Sequence, residues 1–205
     1  MLLEANNISF KYPNTDKLVI ENFSLSIKSD ERVGLVAPSG FGKTTFCKII
    51  AGYEKPDSGK ILLDGKPLDE YKGYCPVQMI WQHPEQVINP HLKLKEVLVE
   101  GDIVEQRIID GLGIENDWLN RYPTELSGGE LQRFCIARAL SGKTKFILAD
   151  EISTMLDLIT QSQIWNFTLS EVKARDIGLL VISHNEQLLD IVCTRKQKLK
   201  SKPPA

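Results

Sequence analysis

An α/β fold built around a parallel sheet is what this 205-residue sequence predicts, and two observations predict it. First, apolar runs at 146–149 and 178–182 flank a stretch, 160–174, in which Ile164, Phe167, Leu169 and Val172 recur at helical spacing. Runs that are apolar throughout belong to strands buried on both faces, as parallel strands joined by helical crossovers are. Second, the strand-like segment 32–36 passes through a glycine-containing loop into 43–51, an apolar segment that Gly52 stops as a helix C-terminus.

The elements follow in order. Residues 2–10 read as a strand, closed by the turn cluster Tyr12-Pro13-Asn14. Phe23, Leu25 and Ile27 alternate with Ser24, Ser26 and Lys28, the period of a half-buried strand. Residues 29–31 turn the chain into 32–36, and 60–63 run into the hairpin dipeptide Asp64-Gly65. An antiparallel sheet from the first 65 residues is expected. Residues 79–81 form an apolar strand end. From 84 to 140 the sequence reads as helical, with helices at 95–112 and after Ser127-Gly128-Gly129. Residues 201–205 read as a disordered tail. No internal repeat is present.

Composition narrows the function. Twenty-five basic against 27 acidic residues leave a formal charge of −2, which argues against a nucleic-acid binder acting through bulk positive charge. With 42% hydrophobic and 25% charged residues the chain is globular rather than disordered. Cys47, Cys75, Cys135 and Cys193 form no C-x-x-C pair and read as buried thiols in a reducing compartment. No run approaches the ~18 apolar residues that cross a bilayer. The N-terminus lacks the basic start of a signal peptide, so a membrane role goes through a partner.

Three motifs carry chemistry. Ala37-Pro38-Ser39-Gly40-Phe41-Gly42-Lys43-Thr44 matches the phosphate loop G-x-x-x-x-G-K-[ST] except that Ala37 stands for the first Gly. Small residues let backbone N–H groups curl around phosphate oxygens at a helix N-terminus. Lys43 then reaches the outer phosphates, and the Thr44 hydroxyl ligates Mg²⁺. Asp150 and Glu151 end the apolar run 146–149, at the sheet edge where parallel α/β folds bind ligands. Asp150 suits Mg²⁺ beside Thr44, and Glu151 suits polarising a water. Gln82 and His184 end neighbouring apolar runs at the same edge, positioned to ligate metal or orient water and to touch a γ-phosphate. Third, Ser127-Gly128-Gly129 opens an amphipathic run as a helix start with bare amides, a second anion site. Two anion sites per chain point to two chains enclosing one nucleotide.

With these residues in order, the chain resembles the ATP-binding subunit of an ABC transporter over nearly its whole length. Tyr12 matches the aromatic loop, residues 37–44 Walker A, Gln82 the Q-loop and 126–130 the signature. Residues 146–151 match Walker B with its glutamate, 153–157 the D-loop and His184 the switch histidine. The resemblance implies a P-loop NTPase with a RecA-like parallel core, an N-terminal antiparallel β subdomain and a short helical subdomain at about 84–140. All of it lies within one ATP-binding domain, 1–205. It implies ATP held by Tyr12, the loop residues through Thr45 and Asp157, with Ser127, Gly128, Gly129 and Glu130 reaching a partner's nucleotide. It implies catalysis by Glu151, His184 and Gln82, and Mg²⁺ held by Thr44, Gln82 and Asp150. Partners implied are a second ATP-binding subunit and membrane permease subunits, at the cytoplasmic face of the membrane, with no nucleic acid.

Residues 77–84 and 87–90 resemble the oligopeptide, dipeptide and nickel importers within that family, as does Ser153-Thr154-Met155-Leu156-Asp157. Three departures stand out. Ile152 replaces the proline usual after the glutamate, the segment from Gln82 to Ser127 is short, and only 21 residues follow His184, so the usual C-terminal strands or extension are expected to be missing. Two other classes share part of this pattern: a soluble ABC-type ATPase of repair or translation, and a P-loop kinase. The first would carry a coiled coil or a second ATPase domain, and the second would lack residues 126–130.

Overall fold

The computed structural model describes residues 1–13, 15–154 and 156–199. Two sheets form. The N-terminal one is antiparallel, in the order β2 (Ile20–Lys28), β1 (Leu2–Phe10), β4 (Ser58–Leu63), β5 (Lys66–Pro67). Alternation drives it: Leu3, Ala5 and Ile8 of β1 and Phe23, Leu25 and Ile27 of β2 are buried, while Ser24, Ser26 and Lys28 face out. The β4–β5 hairpin turns through Asp64 and Gly65 at φ 50° and 74°, the left-handed pair that a two-residue hairpin demands. Gly59 is required by close approach, because a Cβ there would lie 2.5 Å from the Asn6 carbonyl oxygen.

The expected antiparallel sheet loses one member. β3 (Arg32–Val36) leaves it for the second sheet, since Val33, Gly34 and Leu35 are buried in succession and suit a strand covered on both sides. After β3 come α1 (Lys43–Ile50) and β6 (Val77–Ile80), then α2 (Leu94–Val97), α3 (Gln106–Gly111) and α4 (Gly128–Ala139). β7 (Phe146–Asp150), α5 (Leu158–Ala174), β8 (Gly178–Ile182), α6 (Glu186–Val192) and β9 (Arg195–Lys198) complete the order. The second sheet is parallel, β6-β7-β8-β3-β9.

Side chains alternate across this sheet and divide the core. Phe146, Leu148, Leu180 and Ile182 pack against α1 and the antiparallel sheet. Ile147, Ala149, Leu179 and Val181 pack against α4, α5 and α6. The helix that starts at the glycine loop and the helix that starts at Ser127 therefore cover opposite faces of one sheet.

Two sequence expectations give way. The helix expected at 95–112 is two short helices, α2 and α3, joined by non-helical chain. Gly101 and Asp102 account for the break. A Cβ at Gly101 would touch the Tyr74 ring, and Asp102 pairs with Lys143 at 3.2 Å, a long-range tie that holds this stretch out of a continuous helix. Leu98 and Val104 stay buried on either side.

The expected loss of C-terminal strands is also corrected, for β9 pairs in parallel with β3 from Val33↔Arg195 to Val36↔Lys198. Its sequence, RKQK, has no apolar residue, and it is held at the sheet edge by backbone pairing. α6 was equally unforeseen, although Asn185 caps it and Leu189 and Val192 bury one face. Of the other expectations, the turn residue Asn14, Met155 and the tail 201–205 lie outside the described residues.

Candidate functional site

Parallel strands place their C-terminal ends at one edge, and four consecutive strands deliver the candidate residues there. β3 leads into Ala37, β8 into His184, β7 into Asp150 and Glu151, and β6 into Gln82.

The glycine loop is shaped by φ. Gly40 and Gly42 adopt φ 78° and 83°, and Gly42 serves as N-cap of α1, where a Cβ would meet Val19 Cγ1 at 2.7 Å. Among the described non-glycine residues only Asn7, Asn22, Asp64, Glu151 and Asp176 have positive φ. Ala37 thus occupies the first loop position without needing glycine's freedom, and it packs on the core cluster beneath α1. Pro38, Ser39 and Phe41 complete the loop, the Phe41 N–H reaching the Pro38 carbonyl at 3.4 Å. Lys43 is 7% exposed and donates to the carbonyls of Ala37 (2.9 Å) and Pro38 (3.1 Å). The ammonium is thereby centred over the loop, where a phosphate would meet it.

Thr44 is exposed at the loop's end, while Thr45 is buried and its hydroxyl lies 3.0 Å from the Tyr12 hydroxyl. Tyr12 also stacks edge-on against Phe10, centroids 5.0 Å apart. Its half-buried ring is fixed beside the loop at both ends.

Asp150 is buried, and its Oδ1 has no hydrogen-bond partner. Burial pushes its carboxyl above the usual carboxylate range, only partly offset by a hydrogen bond from Thr44. An orphaned buried carboxylate oxygen beside an exposed hydroxyl is the donor set a hard divalent cation takes, so these residues fit Mg²⁺. The raised value makes a sign prediction. Asp150 contributes stability only while protonated, fully below its unfolded value of 3.8 and lost as pH rises through the higher folded value. Asp150→Asn should then raise the melting temperature of the nucleotide-free chain at pH 7. Calorimetry between pH 5 and 8 tests this, and a lower melting temperature for the variant would refute it.

Glu151 has φ 51°, an unusual left-handed position for a non-glycine residue and one that costs about 1–3 kcal/mol. Its N–H bonds the Ile182 carbonyl (3.0 Å), its carbonyl accepts the Thr154 hydroxyl (3.1 Å), and Ile152 is anchored in the core. The turn aims the carboxylate along the strand ends. Oε1 lies 2.7 Å from His184 Nε2, and Oε2 accepts from Gln82 Nε2 at 3.3 Å. Residues that follow three different strands therefore meet at one carboxylate.

The remaining sequence candidates are elsewhere. Ser127 caps α4, its hydroxyl accepting the Glu130 N–H (3.3 Å) while the Glu130 carboxylate accepts the Ser127 N–H (2.7 Å). Gly128 is exposed and Gly129 half-exposed in the first turn. Asp157 caps α5 through the N–H groups of Ile159 and Thr160, both at 3.0 Å. The Thr160 side chain and these amides hold its carboxyl below the usual range. Among the described residues no hydrogen bond or ion pair joins 127–130 or Asp157 to the loop 37–44. Ser153, the first residue of the 153–157 match, is buried and accepts from Gln161 Nε2 (2.9 Å) and Trp165 Nε1 (3.2 Å). Sequence reasoning gave no role of its own to Gln132, which is buried in α4 and whose Nε2 donates to the Trp81 carbonyl at 3.1 Å.

Comparison with known proteins gives a consistent picture. Residues 20–154 match the ABC transporter family. The oligopeptide transport ATP-binding protein OppF of Streptococcus mutans is 33% identical over 95% of this chain and 70% of its own length. The nickel import ATP-binding protein NikE of Escherichia coli is 30% identical over 91% of this chain and 76% of its own. A solved ATP-binding subunit of an ABC transporter superposes with a TM-score of 0.83 at 25% identity, over 97% of this chain and 86% of that one.

Proposed function

The chain belongs to the ABC transporter family as an ATP-binding, ATP-hydrolysing subunit of the oligopeptide, dipeptide and nickel importer type, and from that membership we propose how it works. It powers import of a peptide or of nickel through a membrane permease. It sits peripherally at the cytoplasmic face of the membrane. No helix among the described residues is long and apolar enough to cross a membrane. We further propose that 1–205 act as one ATP-binding domain, with about 84–140 as a helical subdomain.

The observation that carries this reading is the meeting of Glu151, His184 and Gln82 at the strand edge that also bears Lys43 and Asp150. ATP lies with its phosphates on residues 37–44 and its adenine against Tyr12, a sequence-tolerant aromatic contact. Lys43 neutralises the outer phosphates. Thr44 and Asp150, with Gln82, would hold Mg²⁺, which would supply positive charge to offset that of the phosphates. Glu151 polarises the attacking water, His184 faces the γ-phosphate, and Gln82 orients the water and reports to the permease.

The capped but exposed amides of 127–129 serve the nucleotide of a second ATP-binding subunit. Supporting this, α1 and α4 lie on opposite faces of the sheet, so a nucleotide on one chain's loop is not closed over by that chain's own Ser127. In isolation the chain should be mostly monomeric and a weak ATPase. Addition of the sister subunit and permease, recovered by pull-down from native membranes, should raise the rate. Ser127→Arg should remove that gain while leaving nucleotide affinity intact, at about 1 kcal/mol of lost capping. Full activity from a stable monomer, untouched by Ser127→Arg, would overturn the two-chain arrangement.

A further inference from the structure

Glu151 keeps a backbone conformation that side chains disfavour, and such a conformation persists only where its surroundings over-determine it. Several attachments hold the turn 151–154. The Glu151 N–H bonds the Ile182 carbonyl of β8, and Ile152 is buried in the core. The Thr154 N–H and hydroxyl both reach the Glu151 carbonyl, at 3.3 and 3.1 Å. A further attachment comes from α5. Ser153 is 7% exposed, and its Oγ accepts from both Gln161 Nε2 (2.9 Å) and Trp165 Nε1 (3.2 Å). The two donors stand four positions apart, on one face of α5. The start of that helix is itself ordered, for the Asp157 side chain caps it and the Asp157 carbonyl accepts the Gln161 N–H at 2.8 Å.

Fold stability alone does not call for this arrangement. The buried Trp165 N–H needs one acceptor, and Ser153 supplies it. Gln161 is half-buried, so solvent could serve its amide, yet the amide lies on the same oxygen. Both lone pairs of one hydroxyl are thereby taken by donors from successive turns of one helix. Two directional bonds fix where Ser153 sits relative to α5, two residues after Glu151.

We infer that Gln161 and Trp165 are positioning residues for ATP hydrolysis: through Ser153 they hold the left-handed turn that presents the Glu151 carboxylate to His184 and Gln82. Among the described residues no hydrogen bond or ion pair joins either of them to the loop 37–44 or to that carboxylate. The inference rests on the proposed role of Glu151 in polarising water. Losing either bond leaves the turn less determined and the carboxylate less often aligned. The phosphates are held elsewhere, by residues 37–44, so nucleotide binding is spared. The cost falls on kcat and not on KM.

The test measures steady-state ATP hydrolysis by the chain assembled with its sister subunit and permease, and ATP affinity of the chain by calorimetry. Gln161→Met keeps the side-chain length without the donor, and Trp165→Phe keeps an aromatic ring without the indole N–H. Each should lower kcat about fivefold, the worth of one hydrogen bond of ordinary net strength, with KM and affinity unchanged. Combined with Glu151→Gln, neither should lower the residual rate further, because the carboxylate they position is gone. A general loosening of the fold would lower it again in that background. Parental kcat in both variants overturns the inference. So does an equal fractional loss in the Glu151→Gln background, or a fall in affinity that matches the fall in kcat. If Trp165→Phe does not fold, Gln161→Met, at its half-buried position, decides alone. Glu151→Gln by itself hydrolysing at the parental rate is read first: it would remove the role of Glu151, and the inference with it.

Discussion

Glu151→Gln should lower ATP hydrolysis by about 10²–10⁴-fold, the usual cost of losing a general base, while ATP binding persists. Shape is conserved and charge is not. The amide can still meet Gln82 and His184, which now approach the two carboxylate oxygens at 3.3 and 2.7 Å. The left-handed turn at Glu151 depends on its backbone bonds to Ile182 and Thr154, which the substitution leaves in place. The variant should therefore fold and hold nucleotide, with only the chemical step lost. Steady-state hydrolysis at saturating MgATP, measured beside ATP affinity, separates these effects. Hydrolysis at the parental rate would remove Glu151 from the chemistry.

Lys43→Ala should instead weaken ATP binding itself, by about 10- to 100-fold, as expected for a hydrogen bond to a charged group worth about 1.5–3 kcal/mol. The nucleotide-free arrangement sharpens the expectation. The ammonium is buried and held by the Ala37 and Pro38 carbonyls, so removing it takes away both the phosphate's counter-charge and a brace of the loop. Calorimetric titration gives the affinity, and melting temperature reports any loosening of the fold. ATP affinity equal to that of the parent would mean that the phosphates do not lie on this loop.

Much of the fold was legible because its strands are written in two unmistakable periods. Phe23, Leu25 and Ile27 alternate, whereas 146–149 and 178–182 are apolar without interruption, and each pattern has one economical burial. The loop 37–44 was legible because lysine, threonine and paired glycines serve a phosphate at that spacing and little else. What stayed hidden was decided by interactions between distant residues. Leu98 and Val104 suit one long helix until Asp102 finds Lys143. β9 has no apolar residue and exists through the backbone of β3. The meeting of Glu151 with Gln82 and His184 depends on a positive φ that the side chains alone do not announce. The Gln132 tie to Trp81 spans 51 positions and is no part of any periodic pattern.

The position of β3 also governs when the site can come into being. Its neighbours in the sheet, β8 and β9, lie more than 140 positions further along the chain, while the antiparallel sheet is complete by Pro67. Contacts between remote segments must meet the entropy of closing a long loop before they are rewarded, and they form late. During synthesis the first sheet can assemble while the strand leading into residues 37–44 still lacks both flanking strands. Nucleotide competence should thus await synthesis of β8 and β9, so a growing chain stays inert toward ATP until those two strands can flank β3.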